Sequence, residues 1–199
     1  MIRVVFALTF ALGLSSVSAA SPVIGQPAPA FTAVDSNGKP HALADFKGKT
    51  VVLEWTNDGC PYVRKHYGSG NMQKVQQDLA AAGAVWLSVI SSAPGKQGYV
   101  SGTEANELTK SRGARPTAVL LDPAGTIGRA YEAQTTPHMF VIDKAGVLRY
   151  VGAIDDQPTT DPSAIAGARN YVREAFAAIS SGKQVAEPAT DSYGCSVKY

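Results

Sequence analysis

Apolar residues fall into two kinds of stretch along this chain. Some form short unbroken runs. In others they recur every three or four positions. Val51–Trp55, Ala84–Ile90, Thr117–Leu121 and His138–Ile142 are runs of the first kind, the pattern of strands buried on both faces. Lys144-Ala145-Gly146 turns the last of them into Val147–Val151, an antiparallel partner. The second kind begins at Pro61, and Gly68-Ser69-Gly70 should interrupt that helix. Asn71 can cap a second piece, striped by Met72, Val75 and Leu79 and ended by Gly83. Ser101 and Glu104 form a capping box for a helix over Ser101–Arg112, and Ile127–Ala133 reads as a short helix. Asp161-Pro162 has the form of a helix start for a face of Ile165, Ala168, Val172, Ala175, Phe176 and Ile179, stopped by Gly182. Near the beginning, Phe31–Val34 and His41–Leu43 flank Asn37-Gly38 as a small hairpin, with His41 expected on its exposed side. Strands alternating with helices predict an α/β fold: a central mixed β-sheet, its middle strands parallel, flanked by helices.

The stretch richest in chemistry is VVLEWTNDGCPYVRKHY, Val51–Tyr67. A buried strand runs into an Asn57-Asp58-Gly59 turn. Cys60 then stands where a helix N-cap stands, with Pro61 at the first helical position. A thiol there faces unpaired backbone N–H groups and the positive end of the helix dipole, which lower its pKa. Arg64, Lys65 and partial exposure are expected to help, and Asp58 to oppose. Trp55 reads as core that can floor the site, with Tyr62 and Tyr67 able to cover it.

Composition narrows the setting. The chain has 199 residues and a net charge of +2, with no basic tract, which excludes nucleic acid as an expected partner. Arg3, the apolar run Val4–Leu14 and the small residues up to Ala20 have the form of a secretory signal peptide over residues 1–20. The run is too short to span a bilayer comfortably, so no stable membrane insertion is expected after cleavage. The sequence thus divides into the signal, a domain over 21–182 and a tail over 183–199 that carries the second cysteine. Export, periplasmic or secreted, would place the protein where disulfides persist. Its two cysteines, Cys60 and Cys195, suit either a redox pair or a structural staple. A staple closing so long a loop would contribute about 4–5 kcal/mol.

VIGQPAPAFTAVDSNGKPHALADFKGKTVVLEW and DPAGTIGRAYEAQTTPHMFVIDKAGVLRYVGAID resemble the alkyl hydroperoxide reductase/thiol-specific antioxidant group. This is the peroxiredoxin-like branch of the thioredoxin superfamily. GCPYVRKHY and YGCSVKY resemble its redoxin-domain subgroup. The resemblance covers Pro22–Tyr199 and implies a thioredoxin-like fold, a cis Pro137 beside the redox cysteine, and a Thr136 backbone that pairs with an extended substrate. Two departures stand out. The position three after Cys60 is Val63, so the Cys-x-x-Cys resolving thiol is absent. The peroxidatic Pro-x-x-x-Thr-x-x-Cys motif is missing as well, and Arg112, Arg115 and Arg129 are only loose candidates for its arginine.

The expected activity is thiol–disulfide exchange at Cys60, with Cys195 as resolving partner and Thr136 and Pro137 positioning the substrate. Partners would be protein or small-molecule thiols and disulfides. No cofactor is expected beyond an external thiol reductant, and no metal. A non-catalytic interaction module with a permanent Cys60–Cys195 bridge stays open, as do a peroxidase and a copper-handling protein using His66 or His138. Asp155-Asp156 reads as a solvated loop.

Overall fold

The computed structural model describes residues 21–199. The expected signal peptide, residues 1–20, lies outside the described residues. Seven strands form one mixed sheet in the order β2-β1-β5-β4-β3-β7-β8. They are β1 (Thr32–Asp35), β2 (Pro40–Ala42), β3 (Val51–Trp55), β4 (Val85–Ile90), β5 (Ala118–Leu121), β7 (His138–Ile142) and β8 (Leu148–Gly152). β3, β4 and β5 run parallel, with Leu53 opposite Leu87. β7 lies antiparallel on the other side of β3, with Leu53 opposite Phe140. A separate two-stranded ribbon pairs β6 (Thr135–Thr136) with β9 (Cys195–Ser196).

All five residues of β3 are buried, as the unbroken apolar run requires of a central strand. Its side chains alternate between two cores. Val51, Leu53 and Trp55 join Leu87, Val89, Leu120, Tyr131 and Phe140 on one face. Val52 joins Trp86, Met139 and Val141 beneath the helices on the other, packing on Met72, Val75, Leu79, Val172 and Ala175. Those helices are α1 (Pro61–Gly68), α2 (Asn71–Ala81) and α5 (Tyr171–Ser180), while α3 (Gly102–Ser111) and α4 (Thr126–Ala130) complete the set. The Gly-Ser-Gly interruption separates α1 from α2, and Ser101 with Glu104 makes the expected capping box of α3.

Three local expectations change. Asp161-Pro162 starts only a 3-10 turn, Pro162–Gly167, and α5 begins later, where the Asn170 side chain accepts from the Arg173 N–H. Asn71 does not cap α2; Gly70 occupies that position and Asn71 turns its amide to His66. His41 is buried rather than exposed. Its Nε2 lies 2.9 Å from Asp35 Oδ2 and its ring stacks on Phe46.

Candidate active site

β3 delivers the chain into a turn that is held before the cysteine is reached. Thr56 N–H still donates to Val89 O, the Asn57 side chain accepts from Gly59 N–H at 2.9 Å, and Cys60 N–H donates to Asn57 O. Gly59 passes so close to Gln97 that a β-carbon there would overlap its side chain. Cys60 is the N-cap of α1 in extended conformation, Pro61 follows, and Arg64 N–H donates to Cys60 O to close the first helical turn. The sulfur therefore sits at the positive end of the helix.

The sulfur is not partly exposed, as expected from sequence, but fully buried. Its thiol donates to Thr136 O at 3.0 Å. Thr136 precedes a cis Pro137, so the turn that the resemblance implies lies against Cys60. The same Thr136 is paired with Cys195, and Thr135 with Ser196, in the β6–β9 ribbon. Both cysteines are free thiols, brought together across that pairing.

Their acid–base properties diverge. Burial is the largest influence on Cys60 and pushes its pKa up. Hydrogen bonding from the Cys195 thiol and N–H, from the Val63 N–H and from Thr136 outweighs it, and the net shift is downward. The thiol form makes no cap hydrogen bond of its own. Cys195 moves the other way: burial, then the Cys60 sulfur, push it up to about 11. Cys60 thus ionises first, while Cys195 keeps its proton. The main groups that shift Cys60 do not include the expected cations. Arg64 is largely exposed, with its Nε–H on Asp58 O at 2.8 Å, and Lys65 is buried and turned away. Arg112 pairs with Asp58 and stacks on Tyr67, and Arg129 stacks on Tyr199. These contacts are with groups other than Cys60.

The AhpC/TSA family model matches residues 24–151, a span that runs from before β1 to all but the last residue of β8, with Cys60 and Pro137 inside it. The chain belongs to the AhpC/TSA family. Solved structures agree on the fold. An uncharacterized conserved protein from Geobacillus kaustophilus superposes with a TM-score of 0.76 at 22% identity, covering 89% of this chain and 93% of that one. A hypothetical protein from Sinorhizobium meliloti gives 0.75 at 23%, over 89% and 94%. A putative thiol:disulfide interchange protein DsbE from Chlorobium tepidum gives 0.51 at 25%, over 63% and 82%. No curated protein matches. Among the described residues, no helix is long and apolar enough to cross a membrane.

Outside the span matched by the AhpC/TSA model, sequence reasoning missed how the tail is held. Tyr193 donates its hydroxyl to Asp155 Oδ1, and His66 Nε2 lies 3.1 Å from the same hydroxyl. Asn71 donates to His66 Nδ1 at 2.8 Å, which leaves the ring proton on Nε2, facing Tyr193. Lys65 Nζ donates to Gln157 O at 2.7 Å and lies 3.9 Å from Asp155. Asp155 is buried, not solvated, and its Oδ2 has no hydrogen-bond partner; only Asp156 is exposed. The signal was the i, i+4 spacing of Tyr62 and His66, which puts both rings on one side of α1 against Tyr193. Tyr67, expected over the cysteine, instead donates to Glu54.

Glu54 is a second residue the apolar run concealed. Fully buried, it accepts from Tyr67 and Trp86 at 2.8 Å, Ser88 at 3.0 Å and Gln76 at 3.3 Å. Burial raises its pKa against those bonds.

Both ring nitrogens of His66 are engaged, and His138 Nδ1 accepts from Gln134 N–H. Among the described residues no cluster of three or more His, Cys, Asp or Glu could hold a metal ion. Burial pushes both imidazoles down to about 4. The unfolded chain takes up these protons near 6.5, so stability falls as pH drops from there toward 4, by about 3 kcal/mol per ring at the low end. In a histidine NMR titration, both ring signals are expected flat from about pH 8 to about pH 5. A midpoint near 6.5 would mean that the ring in question is solvated.

Proposed function

We propose that this protein is an exported thiol–disulfide oxidoreductase in which Cys60 is the nucleophile and Cys195 the resolving thiol. One observation carries the reading: the Cys60 thiol donates to the carbonyl of Thr136, the residue that Cys195 faces across the ribbon, and the environments of the two unbridged sulfurs displace their pKa values in opposite directions. An anionic sulfur beside a protonated one is the ground state that disulfide exchange needs. The Cys60 thiolate attacks a disulfide RSSR′, forming a Cys60–S–S–R mixed disulfide and expelling R′S⁻, which takes up a proton. Cys195 gives up its own proton and attacks Cys60 Sγ, expelling RS⁻ and closing a Cys60–Cys195 bridge. The dithiol has lost two electrons and two protons, and the substrate leaves as two thiols. An external thiol reductant reverses the bridge. Thr136 and Pro137 set the backbone wall against which the exchange occurs. The name of the Chlorobium tepidum relative supports this reading, and export rests on the signal-like residues 1–20.

The competing reading is a permanent staple, and the bridge's reduction potential separates the two. Equilibration with glutathione redox buffers is expected to give a potential above about −300 mV, whereas a static structural disulfide lies below it. Intact mass of protein recovered from the producing cells reads the thiol count and, in the same spectrum, whether cleavage fell near Ala19 or Ala20.

A further inference from the structure

The edge of Thr135–Thr136 faces the attacking sulfur, and it is already filled. β9 pairs with it antiparallel and sets Cys195 opposite Thr136. The approach is so close that a β-carbon on Gly194, whose φ is 140°, would overlap the Thr136 carbonyl oxygen. The filling strand is also tied down on both sides. Upstream, Val151 N–H donates to Pro188 O, Thr190 N–H donates to Val151 O, and Thr190 Oγ1 accepts from Ala153 N–H at 3.0 Å. Tyr193 is latched between Asp155, His66 and the ring of Tyr62. Downstream, Val197 N–H donates to Gln134 O, Ala93 N–H donates to Lys198 O, and Tyr199 donates to Ala133 O at 2.8 Å.

We propose that this strap makes the site selective for low-molecular-weight disulfides over polypeptide disulfides, an inference that rests on the thiol–disulfide reading of Cys60. An extended polypeptide needs the strand-pairing edge, and to take it must strip β9 and its flanking ties. A small disulfide needs only the sulfur, which a local shift of Gly194 and Cys195 uncovers. Binding of a polypeptide therefore pays for the loss of several backbone hydrogen bonds that a small molecule leaves intact.

The test compares two probes with the same leaving group on the reduced full-length protein: dithionitrobenzoate, and an unstructured ten-residue peptide whose central cysteine is linked to thionitrobenzoate. In each, the Cys60 thiolate forms the new disulfide and the thionitrobenzoate anion departs with the bonding electron pair, giving the absorbance that is read. Each rate is divided by that of free cysteine with the same probe. Wild type is expected to favour the small probe by about 30-fold or more, the factor set by two or three net backbone hydrogen bonds. Gly194→Val is expected to bring that ratio toward one by accelerating the peptide. Tyr193→Phe, which loosens the latch but keeps both cysteines, should move it in the same direction, and decides the matter if the valine variant does not fold. Equal normalised rates in wild type, or a ratio that neither folded variant alters, would overturn the strap while leaving the exchange function standing. Failure of Cys60 to react with either probe in every variant would take both down.

Discussion

Cys195→Ser is expected to complete the first half of its first turnover and stall there. With a disulfide substrate in excess, the variant should release one equivalent of thiol in a burst and hold the other half as a mixed disulfide on Cys60, visible as an added mass. Steady-state turnover should then fall about 100-fold or more, because resolution passes from a thiol fixed beside the mixed disulfide to one that must arrive from solution. Cys60→Ser should lose the burst as well. Burial, the largest influence on its remaining thiol, still pushes that thiol's pKa up once the Cys60 sulfur is gone, so little of it is anionic at neutral pH. A third variant separates resolution from activation. Serine keeps a hydroxyl that can donate to the Cys60 sulfur, as the Cys195 thiol does; alanine does not. Ultraviolet thiolate absorbance should therefore titrate at higher pH in Cys195→Ala than in Cys195→Ser. Equal titrations would mean that the Cys195 side chain does not support the anion and that the Cys195, Val63 and Thr136 backbone and hydroxyl groups do so alone. Full turnover in Cys195→Ser would remove Cys195 from the mechanism.

What could be read from sequence divides by the range of the interaction involved. The β3–turn–Cys60–Pro61 unit was legible because each piece is local: an unbroken apolar run, a three-residue turn, and a proline suited to the first helical position. The break at Gly68–Gly70 and the Ser101/Glu104 box were legible for the same reason. The strand pairing that holds Cys195 beside Thr136 was not. β9 is two residues long, has no periodicity, and finds its partner 59 positions away, with only Gly194 as a local sign of close approach. Asp155 was misread because its partners come from α1 and the tail. No short window around Asp155-Asp156 contains Lys65, His66 or Tyr193. The same holds for the expected activation of Cys60. Arg64 and Lys65 were credited as neighbours in sequence, yet the groups that lower the pKa include Thr136 and Cys195, brought in by the fold.

Glu54 gives the largest expected loss of stability. Four side-chain donors converge on it, from Tyr67, Trp86, Ser88 and Gln76, and the residue is fully buried. Glu54→Ala leaves those donors unpaired and opens a cavity between β3 and the α1–α2 layer. The expected cost is about 3–5 kcal/mol, the range for breaking a buried polar network. For a chain of this size that lowers the thermal midpoint by about 10 °C or more. Glu54→Gln keeps one acceptor and should cost less, and its pH dependence tests the acid itself. The folded-state pKa of Glu54 lies above its unfolded value of 4.5. Its contribution is thus complete below 4.5 and is lost as pH rises through the folded pKa, since the folded state holds the proton that the unfolded chain has released. Glutamine has no such proton to lose. The stability deficit of Glu54→Gln should therefore shrink between about pH 5 and about pH 8 in urea unfolding, and the opposing trend of the two buried histidines cancels in that difference. A deficit that stays flat across that range would mean that the four donors outweigh burial and hold Glu54 ionised throughout.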